Sequence, residues 1–275
     1  MKKDSKKYLR PLVSIILSTY NRAKFIRKAI ESVLNQSYKD FEFVVVNDAC
    51  QDDTLKILKS YNDPRIKIIN NELNLGFVKS LNKAINCAKG EYIARIDDDD
   101  YWSDSKKLEK QIAFLENNPE YVLVGCGMIK INKQGQEIKR YLFPEKDQEL
   151  RRKMLLTDYF VHPGVVFRKK DWEAVGGYNE QFYFSQDWDL WARLGKMGKM
   201  YNFPECFVSL RESGENRTTN KMGYHLFLNQ KIRKKYSRDY PHFWRYYLLG
   251  WGAYLIKPLF LKIKQFYEEF KNKKN

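Results

Sequence analysis

The chain predicts an α/β protein built on a mostly parallel, Rossmann-like central sheet flanked by helices, and three observations carry that expectation. β-branched apolar runs of strand length alternate with segments of helical period through the first hundred residues. These runs lack polar alternation, as strands covered on both faces do. Polar clusters also recur where the runs stop: Ser18-Thr19-Tyr20-Asn21, Asn47-Asp48 and Asp97 to Asp100. Parallel sheets take ligands at the carboxyl ends of their strands, so the three clusters mark one edge of the sheet as a candidate site.

Taken in order, "PLVSIILSTYN" is a strand entered through a proline, and Arg22 to Leu34 a helix with Phe25, Ile26, Ala29, Ile30, Val33 and Leu34 on one face. "FEFVVVND" is a second strand, and Asp52-Asp53-Thr54 open a helix reaching Tyr61. "RIKIIN" is a third strand, and "LGFVKSLNKAINCAKG" a third helix closed by Gly90. "YIARI" is a fourth strand running directly into four aspartates. After Pro119 the strands shorten (Tyr121 to Val124, Met128 to Asn132, Glu137 to Leu142, Gly164 to Phe167), which predicts a mixed second half. Asp187 to Met197 is a helix, "CFVSLR" a strand, and two basic helical stretches fill the remainder. The expected organisation is a basic tail over 1–10, an α/β body over 11–218 with its halves meeting near 118, and a basic, aromatic helical appendage over 219–275.

The 275 residues carry a formal charge of +16, and its placement is informative. From Lys221 onward there are 13 Lys/Arg against 3 Asp/Glu, and the first ten residues hold five against one, so the body is nearly neutral. Basic ends suit an anionic membrane surface or nucleic acid. The stretch "HFWRYYLLGWGAYLIKPLFLKIKQFYEEFKNKKN" reads either as a helical pair packed on the body and interrupted at Pro258, or as an interfacial helix on an anionic leaflet. Four separated cysteines without a CxxC pair are expected to be reduced, partly buried thiols of a cytosolic protein. Neither a signal peptide nor a membrane span is expected, since the longest apolar run stops at Lys257-Pro258.

Adjacent carboxylates repel, so Asp97 to Asp100 at the end of a buried strand need a reason. An EF-hand loop beginning at Asp97 would need Gly at its sixth place and Glu at its twelfth, where this chain has Trp102 and Leu108. A solvated loop is one remaining reading. The other is a Mg²⁺ or Mn²⁺ site in which Asp97 and Asp99, alternating along the chain, hold the cation while phosphate oxygens complete its shell.

These residues resemble the inverting family 2 glycosyltransferases, whose fold is GT-A. "VSIILSTYNRAKFIRKAIESVLNQSYKDFEFVVVNDACQDDT" is similar to their nucleotide-binding half and "KGEYIARIDDDD" to their metal-binding strand. "HPGVVFRKKDWEAVGGYNEQF" and "SQDWDLWARL" resemble the acceptor-side segments. The resemblance covers about 11–212 and implies a nucleotide-sugar half over 11–118 and an acceptor half over 119–218. It implies Ser18, Thr19 and Tyr20 against base and ribose, Asp48 at the base, Lys79 or Asn82 toward the diphosphate, and Asp98 as a nucleotide contact within the Asp-x-Asp element. Asp97 and Asp99 become metal ligands, Asp99 the direct one, and Asp187 the general base. His162 is either a turn residue or a contact of acceptor or metal. Trp188 and Trp191 are core residues or a sugar platform, and Asp189 lies on another helix face, a partner for Arg193 before it is a second base.

Where the family commonly has Asp-Asp-Gly-Ser, this chain has Asn47-Asp48-Ala49-Cys50, and Gln186 stands in place of a Glu before Asp187. The Gln-x-x-Arg-Trp element of processive synthases is absent from "LRESGENRTT", which implies addition of single sugars. The implied partners are a nucleoside-diphosphate sugar, a sugar or lipid-linked acceptor and an anionic membrane, the implied place the inner face of the cell membrane, and the implied product a cell-surface glycan. A nucleotidyltransferase would carry a glycine-rich loop after the first strand, which "STYNRAKF" lacks. A nucleic-acid-binding protein would explain the charge but not the three polar strand ends.

Overall fold

The computed structural model describes residues 12–212 and 222–252. Four strands, β1 (Val13–Thr19), β2 (Phe41–Asn47), β3 (Ile66–Asn70) and β4 (Tyr92–Arg95), lie parallel in the order β3-β2-β1-β4. Chain order reverses between β1 and β4, so their carboxyl ends border the crevice where such sheets take ligands. Every residue of β1 and β2 is buried, because helices cover both faces. Ile16, Val44 and Val46 face one helix layer, and Ile15, Leu17 and Val45 the other, the strict alternation that a pleated strand imposes.

The second layer comes from α1 (Ile26–Leu34), which buries Ile26, Ala29, Ile30 and Val33 at helical spacing. A short helix, α2 (Thr54–Lys59), follows β2, and the first layer begins with α3 (Phe77–Cys87), burying Val78, Leu81, Ala84 and Ile85. The α2 entrance is closed by Asp52, whose carboxylate accepts the Thr54 and Ala23 amides, so Asp52 ties it to the loop after β1.

Gly90 does not close α3, which ends at Cys87 with an extended Ala88. It is glycine because the chain there presses onto β1: a Cβ would lie 2.5 Å from the Ser14 backbone nitrogen and 2.7 Å from the Val13 carbonyl carbon. Those are backbone atoms of a central strand and cannot yield. Gly90→Ala is expected to destabilise the fold by about 1–3 kcal/mol, read as a lower urea midpoint at unchanged slope.

The second half adds β5 (Tyr101–Trp102), α4 (Lys107–Asn117), β6 (Tyr121–Ile131), β7 (Glu137–Tyr141), α5 (Asp147–Lys153), β8 (Val166–Arg168), α6 (Lys169–Ala174), α7 (Gln186–Met197) and β9 (Lys199–Arg211). The two short strands expected before Asn132 are one strand, β6, running through Gly125 and Gly127 where the register with β9 shifts. β8 pairs antiparallel with both β4 and β6 and thereby joins the halves into a single sheet.

α8 (Met222–Lys235) and a helix over 243–252 pack on this body. Leu228, Ile232, Tyr236, Tyr240 and Tyr246 join the core that holds Trp188 and Trp191. Arg233 donates to the Leu155 and Leu156 carbonyls and stacks 5.3 Å from the Trp188 ring centre. Of the two readings of the appendage, packing is therefore observed for 222–252, while Pro258 lies outside the described residues. Trp244, Leu248 and Leu249 nevertheless stay 70, 65 and 55% exposed. No described helix is long and apolar enough to cross a membrane. The cysteines are unpaired, with Cys126 buried, Cys50 and Cys206 half-buried and Cys87 exposed, unlike the partial burial expected of all four.

Candidate active site

The acidic turn leaves the carboxyl end of β4 beside that of β1 and opens into a cavity of about 450 Å³. The sheet supplies one wall through Asp97 to Asp100. Arg22, after β1, and Phe77, at the start of α3, flank them; Asp158, His162 and Asp187 come from the second half of the chain, and Arg211 from the end of β9. Segments almost two hundred residues apart thus converge on one space.

Each aspartate has a different environment. Asp97 pairs with Arg95 at 2.6 Å, and Arg95 itself is fully buried at the end of β4. Asp98 faces Arg22 at 3.6 Å, yet burial and the neighbouring Asp99 push its carboxyl up to about 7. Asp100 accepts the Arg211 amide at 2.8 Å, and burial with the Asp99 and Asp97 charges lifts it well above the usual carboxylate range. The Asp99 carbonyl accepts from Arg211 Nε at 3.2 Å, which fixes the turn to the end of β9.

Two of the four carboxylates therefore take protons far more readily than free aspartate, because their negative charge is crowded and desolvated. Hard oxygen donors under such strain fit a hard divalent cation, whose charge would relieve it. Among the described residues no group of three or more His, Cys, Asp or Glu side chains stands arranged as a cation cage. This donor set fits an ion bound by one or two carboxylates and completed by a ligand's oxygens.

His162 lies in a 3₁₀ turn (His162–Gly164) against the same cavity. Its Nε2 accepts from Arg95 Nε at 3.3 Å and stands 2.8 Å from the Tyr178 hydroxyl, which places the ring proton on Nδ1, 4.0 Å from Asp97 Oδ1. Burial and the Arg95 charge keep it well below the usual histidine range, hence neutral. Asp187 sits in the first turn of α7, where Ser185 precedes the helix. Burial pushes its carboxyl up to about 6, against the opposing bond from the Trp188 amide. Asp158, in the loop before the turn, is likewise raised well above the usual carboxylate range, by burial and by the Asp187 charge.

Of the residues singled out from the sequence, Asp97 to Asp100, His162, Gln186 and Asp187 line this cavity, whereas Ser18, Thr19, Tyr20, Asp48, Lys79, Asn82, Trp188, Asp189 and Trp191 do not. Ser18 and Thr19 are buried at the end of β1, and Tyr20 is 36% exposed beyond it. Asp48 already accepts three bonds from its own chain, from the Leu75 and Gly76 amides and the Asn71 side chain, and so pins the loop before α3. Asn82 is bonded both ways to the Tyr178 backbone at 2.9 Å, a tie between distant parts of the chain. Lys79 is exposed and lies 3.9 Å from Glu180. Trp188 is core, donating to the Met154 carbonyl. Asp189 turns away from the cavity to Arg193, Lys235 and Tyr236.

Sequence reasoning passed over Arg95, Asp158 and Arg211. Arg95 had a signal: a charge inside "YIARI" must be buried, and a buried charge must be paired. Asp158 and Arg211 had none, because only the fold brings them to the aspartates.

The family model described as glycosyl transferase family 2 matches residues 14–176. The chain belongs to that family. It is a glycosyltransferase of GT-A fold, and the family match stops short of α7. Over 211 residues the chain is 36% identical to the putative glycosyltransferase EpsE of Bacillus subtilis (strain 168), covering 74% of each. It is 30% identical to the O-antigen biosynthesis glycosyltransferase WbnJ of Escherichia coli, over 81% of this chain and 88% of that one. Among solved structures, the mannosyltransferase PcManGT of Pyrobaculum calidifontis, in complex with GDP-Man and Mn²⁺, superposes with a TM-score of 0.64 at 19% identity, over 89% of this chain and 70% of that one. The chain spans 65 and 66% of the length of other solved chains that it resembles.

Proposed function

We propose that this glycosyltransferase moves one sugar at a time from a nucleoside-diphosphate donor to an acceptor hydroxyl, with inversion, in the synthesis of a cell-surface polysaccharide. The observation that carries the reading is that Asp187, raised to about 6, faces the same cavity as the acidic turn. A carboxylate of that pKa is ionised near neutral pH yet basic enough to take a proton. Asp187 would accept the acceptor's hydroxyl proton as its oxygen attacks the anomeric carbon from the face opposite the diphosphate. Asp99, with Asp97 beside it in the same turn, would be the direct ligand of Mg²⁺ or Mn²⁺, which when bound supplies positive charge against the leaving diphosphate. Arg22, which meets Asp98, and Arg211 add fixed cations at the rim. Ser18, Thr19, Tyr20 and Asp48 cluster at the neighbouring strand ends and would shape the base and ribose side.

Support for the polysaccharide role comes from the O-antigen enzyme named above, and for the cation from the Mn²⁺ in the mannosyltransferase complex. The deciding measurement is a thermal-shift series with UDP and GDP, with and without Mn²⁺. A rise in Tm with a diphosphate that requires the cation supports the reading, since only binding to the folded state stabilises by mass action. No shift with either diphosphate would remove it. Inversion is read from the anomeric coupling constant of the product by NMR.

The reading places the enzyme on the inner face of the membrane, where a lipid-linked acceptor is presented. Trp244, Leu248 and Leu249, exposed on the helix over 243–252, with the basic residues around them, would seat it there. Sedimentation with anionic vesicles is expected to fall at least several-fold when these three are changed to Ser, and to weaken with salt. Equal sedimentation by the triple variant would remove the membrane from the proposal.

A further inference from the structure

The acidic turn contains a cation of its own. Arg95 is the last residue of β4, fully buried, and its guanidinium is bonded in every direction. Nη1 donates to the Ile16 carbonyl at 2.5 Å and the Ile96 carbonyl at 3.0 Å, Nη2 to Asp97 at 2.6 Å, and Nε to His162 at 3.3 Å. Its plane also lies 5.7 Å from the Phe77 ring centre. Backbone carbonyls of β1 and of the turn thus hold the group, and it cannot swing away as a surface arginine would.

Two of the three remaining carboxylates are engaged by the chain as well. Asp98 faces Arg22 at 3.6 Å, and Asp100 accepts the Arg211 amide. Four aspartates in a row suggest a strong cation trap; the structure instead shows a turn whose first charge is neutralised from within. Resting on the glycosyltransferase reading above, we propose that Arg95 is a positioning residue that couples cation binding to donor binding. By compensating Asp97 it keeps the affinity of the empty turn for a divalent cation low. The cation is then taken up well only with a diphosphate, whose oxygens replace the ligand that Arg95 has engaged.

The coupling is reciprocal: if the diphosphate raises affinity for the cation by some factor, the cation raises affinity for the diphosphate by the same factor. In the wild-type chain, Mn²⁺ binding followed by electron paramagnetic resonance is expected to be at least tenfold tighter with GDP or UDP than without. Arg95→Met should strengthen binding of Mn²⁺ alone and shrink that factor. Because Arg95 is buried, folding of the variant is checked by its melting curve, and Asp97→Asn provides an independent arm. Removing the Asp97 charge unmasks the guanidinium, so diphosphate binding without metal should strengthen several-fold. Joint binding of Mn²⁺ and diphosphate should weaken far less than in Asp99→Asn.

Equal Mn²⁺ affinity with and without diphosphate in the wild-type chain would overturn the inference. So would an Asp97→Asn variant that loses joint binding as completely as Asp99→Asn, which would make Asp97 an indispensable ligand. Both outcomes leave the glycosyltransferase reading standing. Absence of diphosphate binding under every condition would overturn that reading and the coupling with it.

Discussion

Asp187→Asn is expected to lower turnover by on the order of a hundredfold or more while leaving the affinity for a nucleoside diphosphate with Mn²⁺ nearly intact. The amide keeps the shape and the bond from the Trp188 amide but cannot accept a proton. Steady-state kinetics alongside calorimetry separate the two effects. The wild-type pH profile carries a second signature. With the Asp187 carboxyl of the free enzyme pushed up to about 6, kcat/KM should fall tenfold per pH unit below that value and level off above it. Stability should show the same group with the opposite sign. A carboxyl whose pKa is raised on folding holds its proton more tightly folded than unfolded, so it costs stability as pH rises from about 4 through 6. The Asn variant should accordingly melt higher than wild type above pH 6, with the gain vanishing toward pH 4. Near-wild-type turnover in Asp187→Asn would assign the proton to Asp158, the neighbouring carboxylate on that side of the cavity.

Asp99→Ala should behave in the reverse way, losing cation-dependent diphosphate binding altogether and activity with it, because the cation would hold the donor before any chemistry begins. The fold should persist. The Asp99 charge helps lift Asp98 and Asp100, so in the absence of cation its removal should leave Tm unchanged or slightly raised. Titration of GDP or UDP in Mn²⁺ by calorimetry decides: unchanged affinity would exclude Asp99 from the site.

The parts of the fold that could be read from residues are those where burial dictates composition. β1, β2 and β4 declare themselves because strands covered on both faces admit almost nothing polar, and α1 and α3 because their buried stripes repeat every three or four positions. β5, two residues long, was not legible: it exists because Tyr101 and Trp102 pair with Ser209 and Val208, a partner more than a hundred residues away. Gly90 looked like a helix terminator, and its cause proved to be backbone packed against backbone. The site divides along the same line. Charge crowding at Asp97 to Asp100 is local and visible, whereas Asp187 was assigned by resemblance, and Asp158 and Arg211 only by assembly. Asp48 and Asn82 carry in addition bonds that hold the chain's own loops, which no local pattern announces.

The engagement of Asp189 by Arg193, Lys235 and Tyr236 bears on how this enzyme can be recombined with its relatives. Asp189 is 0% exposed, and two of those three partners belong to the C-terminal helical region and the turn after it. A chimera joined between α7 and α8 would leave the buried Asp189 with Arg193 alone, removing its Lys235 and Tyr236 bonds, each such bond to a charged group being worth about 1.5–3 kcal/mol. The crossover tolerated by the protein therefore falls before α7 or after Tyr240, whose hydroxyl closes on the Ala192 carbonyl. Exchange of C-terminal halves among family members has to carry α8 as part of the inheritance.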